Sequence, residues 1–353
     1  MYQLKSNIKN INSILNAEKI STQTVRKRME NNMKALVFDQ YGTTENLHYR
    51  DVPTPTPKDN EVLIKVHSVS VNAGDILLLS GLHYLARLAT GIFRPRINIL
   101  GHDLSGTIAS IGPKVTEFKV GDNVFGAVPM LNAGSFADYA KVPSDHIIKK
   151  PENMSFNDAA AFPIAALTAI QAIKYNIKPN SENKVLVYGA SGGVGSFAVQ
   201  VARALGCDVT AVCSSRNSEA AKILGANRVI DYKTESVFDK SEKYDLVFAA
   251  NGDNSIFSYK GLLDKNGVYV TSGGSLKQMA GAMALGPFIL SNKMSFLSVK
   301  PNRLDLEYLC NLYNDGKLVS VIDKVYPKDQ LIDAIKYFEK GQARGKVIID
   351  FTK

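Results

Sequence analysis

The run Gly189-Ala190-Ser191-Gly192-Gly193-Val194-Gly195 has the residue types and spacing of a loop that cradles phosphates. It follows Lys184-Val-Leu-Val-Tyr188, a buried-type strand, and precedes Ser196–Leu205, which reads as a helix. In such a loop Gly189 allows the tight turn off the strand, and Gly192 and Gly193 let the backbone approach a pyrophosphate. Gly195 lets the helix pack closely. Free N–H groups and the positive end of the helix dipole then face the phosphates, with Ser191 and Val194 in the same turn. This chemistry binds a dinucleotide.

The next strand, Asp208–Cys213, discriminates between dinucleotides. A free ribose 2′-hydroxyl calls for Asp or Glu at its tip, about 20 residues after the loop. The tip reads Cys213-Ser214-Ser215-Arg216, with no carboxylate. Two hydroxyls and a guanidinium suit a 2′-phosphate, with Tyr232 after the following strand placed to stack or hydrogen-bond. NADPH is therefore expected over NADH.

Elements that position this loop follow from periodicity. Beyond Pro151 strands and helices alternate: Ser218–Leu224 a helix, then Arg228–Ile230, Tyr244–Ala249 and Gly267–Thr271 strands. The pattern predicts an α/β domain with a doubly wound parallel sheet of the Rossmann type. Before Pro151 the text differs. Met33–Phe38, Glu61–Val66, Gly106–Ile111 and Ala137–Val142 read as short strands, separated by Pro53–Pro57, Gly112-Pro113 and Gly121-Asp122. That is a β-rich, barrel-like domain. The tail offers helices at Leu304–Asn314 and Asp329–Lys340 and a closing strand, Lys346–Phe351.

Composition sets the remaining bounds. With 353 residues, 45% hydrophobic and 21% charged, the chain is an ordinary globular protein of about two domains. No run of about 18 apolar residues predicts a membrane span, and no membrane partner is expected. Three cysteines (Cys207, Cys213, Cys310) are too few for a disulfide framework and fit a reducing, cytoplasmic setting. The net charge of +9 is partly concentrated in residues 1–32, where Lys5, Lys9, Lys19, Arg26, Lys27 and Arg28 face only Glu18 and Glu30. The rest is dispersed, as on a solvated surface, and nucleic acid is not the expected partner. Ile8, Ile11 and Leu15 fall at helical spacing. A transit peptide fits the scarce acids but not the two arginines or the missing small-residue cleavage site. Residues 1–32 therefore read as an extension without function, ahead of a core starting at Met33.

From Gly189 to Arg203, including Gln200, the chain resembles the quinone oxidoreductase/zeta-crystallin signature of the medium-chain dehydrogenase/reductase superfamily. Asn72-Ala73-Gly74-Asp75, Gly101-His102-Asp103-Leu104-Ser105-Gly106, Val120-Gly121-Asp122, Ala159–Pro163, Leu167-Thr168-Ala169 and Ala343–Val347 look like further landmarks, in order, over residues 33–353. The resemblance implies a GroES-like catalytic domain (33–153 and 301–353) interrupted by a Rossmann domain (154–300), with the active site between them. It also implies no zinc. Asn72 stands where the catalytic thiolate would be, His102 alone keeps a ligand position, and a four-cysteine structural lobe is impossible.

Roles implied by the resemblance are as follows. Asn72 would donate to a carbonyl or to the nicotinamide ribose, and Asp75 would orient it or join a proton relay. A tyrosine beyond this motif is a proton-donor candidate in related enoyl reductases. His83 falls at its offset in shorter relatives and Tyr84 is next to it, so either one lines the pocket, ahead of an inserted segment Leu85–Arg96 expected to form a lid. Thr168, Asn251, Ser272, Gly273 and Lys346 would contact the cofactor. Without a Lewis acid, acceptors activated by conjugation are expected: quinones or α,β-unsaturated carbonyls. The alternatives are an alcohol or aldehyde reductase, or an NADPH-binding structural or RNA-associated protein like zeta-crystallin. A homodimer is expected.

Overall fold

The computed structural model describes residues 32–81, 87–96, 98–129, 134–239, 241–275, 278, 281 and 293–353. The expectations for residues 1–31, His83 and Tyr84 lie outside the described residues. In chain order the strands are β1 (Asn32–Val37), β2 (His48–Pro53), β3 (Glu61–Val71), β4 (Asp103–Ile111), β5 (Asn123–Ala127), β6 (Tyr139–Pro143) and β7 (Ile147–Lys149). They continue with β8 (Lys184–Tyr188), β9 (Asp208–Cys213), β10 (Arg228–Asp231), β11 (Tyr244–Ala249), β12 (Leu263–Thr271), β13 (Lys293–Phe296), β14 (Ile322–Pro327) and β15 (Lys346–Asp350).

Strands β8–β13 form one six-stranded sheet in the order β10-β9-β8-β11-β12-β13, every pairing parallel. The order reverses between β8 and β11, and an open α/β sheet binds its ligand at the carboxyl ends beside such a switch point. The strands carry runs such as Val185-Leu186-Val187 and Leu246–Ala249, buried on both faces. A second sheet orders its strands β14-β15-β3-β4-β5-β7, with β6 also on β3. Its pairings are antiparallel except β14–β15. This is the two-domain, Rossmann plus GroES-like arrangement.

Several boundaries moved. Strand β3 runs to Val71, five residues beyond the expected end, because it pairs with β4, β6 and β15. Strand β2 runs through Pro53, into the expected turn cluster. The helix after the glycine loop begins at Gly193 rather than Ser196. Leu306, Leu309 and Leu312 of the helix Arg303–Asn314 share the core of the parallel sheet, as does Leu318. Strands β14 and β15 join the antiparallel sheet, and Leu331, Ala334 and Ile335 of the helix between them share its core. Among the described residues no helix is long and apolar enough to cross a membrane.

Candidate active site and cofactor cradle

Three helices matter for the site: α1 (Ala73–Ser80), α2 (Pro163–Lys174) and α3 (Gly193–Ala204). Helix α1 starts where β3 ends. Asp75 Oδ2 accepts the backbone N–H of Asn72 at 2.8 Å and so closes the helix entrance. Its Oδ1 accepts the Gly101 N–H at 2.9 Å and His102 Nδ1 at 2.7 Å. Asp75 is fully buried. It positions both Asn72 and His102, and the observed contact to Asn72 is through the backbone rather than the amide.

Asp103, the first residue of β4, is the hub. It is completely buried. Its Oδ2 accepts Ser70 Oγ at 2.6 Å, Asn72 Nδ2 at 2.8 Å and Lys346 Nζ at 3.0 Å. Its Oδ1 accepts the Ile164 N–H at 2.8 Å, in the first turn of α2, where a carboxylate also meets the positive end of the helix dipole. Lys346 Nζ donates a second bond, to Asn72 Oδ1, at 2.6 Å. The Asn72 amide is thus committed on both ends, its second N–H reaching Ser70 O at 3.4 Å. Asp103, Ser70 and Lys346 engage the Asn72 amide within the protein. In the sequence Asp103 stands only as a landmark of the family resemblance. Its signal was a carboxylate opening an otherwise buried strand, which demands a partner.

The cradle is built differently. Gly189 has φ +82°, and a Cβ there would lie 3.0 Å from Asn251, so the turn off β8 and the end of β11 meet at the switch point. Gly195 could carry no side chain either, since a Cβ would sit 2.1 Å from Gly189 O. Gly192 faces open space, its nearest neighbour for a Cβ being Gly189 O at 3.7 Å, and no side chain caps α3. That is the approach expected for a pyrophosphate. Gly193 has another reason. A Cβ there would lie 2.7 Å from Lys346 Cδ, so this glycine makes room for the lysine stem on its way to Asp103.

At the tip of β9, Ser214 is buried and its hydroxyl accepts from Asn217 Nδ2 at 3.2 Å. Ser215 and Arg216 are exposed, as is Tyr232, whose N–H bonds Cys213 O at 3.2 Å beside them. Asn251 is exposed, and Ser272 N donates to Ala249 O at 3.3 Å, placing Ser272-Gly273 at the end of β12. Gln278, unforeseen in the sequence, braces that end by donating to Thr271 Oγ1 and Gly273 O. Thr168, in α2, donates its hydroxyl to Ile164 O at 2.6 Å. The glycine loop, Asn251 and Ser272 therefore gather at the carboxyl edge of one sheet, and Lys346 joins that edge to Asn72. Ser191 and Val194 stay half-buried in the turn.

Comparison with known proteins agrees with this layout. Residues 58–152 match the model of the alcohol dehydrogenase GroES-like domain, and residues 224–349 that of the zinc-binding dehydrogenase. The chain is 35% identical over 338 residues to the chloroplast envelope quinone oxidoreductase homolog of Arabidopsis thaliana, covering 90% of this chain and 98% of that one. The chain belongs to the quinone oxidoreductase branch of the medium-chain dehydrogenase/reductase superfamily. It is 32% identical to the mitochondrial NAD(P)H oxidoreductase RTN4IP1 of Homo sapiens, over 94% of this chain and 92% of the relative. The solved quinone oxidoreductase of Coxiella burnetii superposes with a TM-score of 0.81 at 31% identity, covering 90% and 99% of the two chains.

The second of those family models carries zinc in its description, and the donor set here does not fit it. Among the described residues no three His, Cys, Asp or Glu side chains cluster as a metal would need. Asn72 offers an amide already bonded at both ends, and the Lys346 ammonium sits on Asp103, repelling a second cation. The three thiols are buried elsewhere, and burial pushes each above its ordinary pKa. A dinucleotide does fit, by the open face of Gly192 and the uncapped start of α3.

Proposed function

We propose that this oxidoreductase is NADPH-dependent and zinc-independent, and reduces conjugated carbonyls, either quinones or α,β-unsaturated ketones and aldehydes. The cofactor half rests on one observation. The tip of β9 presents Ser215 and Arg216 to solvent where an acid would otherwise hold a ribose hydroxyl. A guanidinium there suits a 2′-phosphate, with Tyr232 alongside and the Ser214 hydroxyl behind.

When bound, the nicotinamide supplies a hydride. The chain's own contribution is fixed charge. Lys346 gives two N–H bonds to Asn72 and Asp103, which leaves one for the cofactor side, where its stem already crosses Gly193. Asn72 and Asp75 act as positioning residues, the first on Lys346 and the second on the start of α1. Gly189 through Gly195 hold the pyrophosphate, and Thr168, Asn251, Ser272 and Gly273 flank the nicotinamide half. Polarisation of the acceptor comes from N–H groups, and acceptors already activated by conjugation need the least of it. A homodimer belongs to the same proposal. So does a cytoplasmic location, although relatives carry chloroplast and mitochondrial names.

A screen of NADPH oxidation against quinones, enones and aldehydes tests the reading. Turnover confined to simple aldehydes would replace it with an alcohol or aldehyde reductase. Tight NADPH binding with no turnover on any acceptor would favour a binding protein. Arg216→Ala should raise the Kd for NADPH about 10- to 100-fold and leave NADH nearly unchanged. Equal losses for both would refute the assignment of the 2′-phosphate.

A further inference from the structure

From Ile76 to His102 the chain carries Arg87, Arg94 and Arg96 and not one acidic residue. The described part of this stretch is a built loop. Gly91 N donates to Arg87 O at 2.8 Å and Arg96 N to Thr90 O at 2.7 Å. Gly91 has φ +117°, and a Cβ there would lie 2.0 Å from Arg94 O, so the turn requires glycine. The base is pinned from within. The Tyr41 hydroxyl meets Thr90 Oγ1 at 3.0 Å and Gly91 O at 2.8 Å. The Arg87 guanidinium lies 4.5 Å above the Tyr41 ring while its Nε donates to Gly81 O at 2.7 Å.

What this braced loop presents to water is apolar. Phe93 is 92% exposed, Leu88 67% and Ile92 51%. Arg94 and Arg96 flank them and are exposed as well. Three exposed large apolar side chains within six residues of a hydrogen-bonded turn mark an interaction surface, unlike single scattered apolar side chains. We propose that Leu88, Ile92 and Phe93, flanked by Arg94 and Arg96, dock this protein on an anionic lipid bilayer. The apolar side chains enter the boundary between headgroups and acyl chains, and the guanidinium groups pair with lipid phosphates.

Charge and size favour a bilayer over a protein. Asp39, the acid within electrostatic reach of Arg94, is already paired with Arg50, so the tip keeps its positive character. Three apolar side chains make a small patch beside the roughly 800 Å² per partner of a stable protein interface. Insertion to headgroup depth needs only such a wedge. The sequence expectation of no membrane partner rested on the missing span, which surface docking does not require. Helix α1 joins this base to Asn72, and its eight residues span about 12 Å, so docking would hold the candidate site close to the lipid surface.

The chain has no tryptophan, so Phe93→Trp places a sole indole at the tip. The full chain with this change is mixed with phosphatidylcholine vesicles, with or without phosphatidylglycerol. The expected result is a blue shift of emission with the anionic vesicles and quenching by brominated acyl chains. Ile92→Asp with Phe93→Asp should lower flotation with anionic vesicles at least about tenfold, with the thermal unfolding midpoint unchanged because both side chains are exposed. The basic residues 1–32 are present in both chains, so the difference reads the tip alone. Emission that ignores the anionic vesicles, or equal flotation of the double variant, would overturn the proposal. An equal response to neutral vesicles would remove the role given to the arginines. Conversion of an oligomer to a smaller species by the double variant would show that the tip covers a second copy of the chain.

Discussion

The two halves of the candidate site solve opposite problems. On the catalytic side, Asp75, Asp103 and Lys346 are charged groups buried almost completely, and each is matched by several donors or acceptors. On the cofactor side, the cradle is backbone, helix dipole and glycine, and its distinguishing side chains, Ser215 and Arg216, stand in water. A buried charge lattice is paid for at folding and stays fixed through turnover. An exposed guanidinium stays hydrated, and in the proposed role it would exchange that water for a phosphate, as suits a ligand that must also leave. The Lys346 side chain joins the two, crossing Gly193 on its way to Asn72 and Asp103.

Removing the hub should produce the largest effect. Asp103→Ala leaves the Lys346 ammonium buried without its counter-charge and also strands Asn72, Ser70 and the Ile164 N–H. A loss of about 3–5 kcal/mol is expected by urea or thermal unfolding. Arg216→Ala should cost no more than about 0.5 kcal/mol of stability while weakening NADPH. If the two variants lose similar stability, the contrast between fixed and exchangeable charge is wrong.

Two neighbouring glycines sharpen the contrast at intermediate size. Gly193→Ala drives a methyl to 2.7 Å from Lys346 Cδ, and displacing that stem loosens its bonds to Asp103 and Asn72. A stability loss of about 1–3 kcal/mol is expected, together with weaker cofactor binding. Gly192→Ala meets nothing closer than 3.7 Å and has an ordinary extended backbone. Its stability should stay within about 0.5 kcal/mol of the parent, and only cofactor affinity should fall. Calorimetry of the apoenzymes separates them, and identical stabilities would mean that Gly193 serves the pyrophosphate after all.

The same division explains what the sequence made legible. The cradle is contiguous: strand, glycines and helix follow one another, and Ser214–Arg216 closes the next strand. Local pattern therefore announced the strand–loop–helix unit, and the alternation of strands and helices announced the parallel sheet. The charge lattice draws on Ser70, Asn72, Asp75, His102, Asp103 and Lys346, which meet only once β3, β4 and β15 are side by side. Family resemblance named four of the six as site residues or a possible ligand position, but not the bonds among them. Helix α3 begins at two glycines that propensity disfavours, because close packing over the loop outweighs it. No spacing in the chain pointed to Lys346 as the reason for Gly193.

The smallest expected effect lies where the two regions are joined in partial contact with water. Arg303, at the start of the helix packed on the parallel sheet, donates to Glu117 Oε1 and to Ser144 O in the segment between β4 and β7, each at 2.7 Å. The guanidinium and the neighbouring backbone N–H groups hold the Glu117 carboxyl down, from 4.5 to about 2. A carboxylate with a lowered folded-state pKa contributes stability fully above about pH 4.5 and loses it as the pH falls toward about 2. Glu117→Gln should therefore cost about 0.5–1 kcal/mol near neutrality, since both partners are about one-third exposed and solvent screens the pair. The difference from the parent should shrink steadily across that acid window, read from unfolding midpoints at each pH. A penalty matching that of Asp103→Ala, or one that does not change with pH, would mean that burial is not what separates these charges.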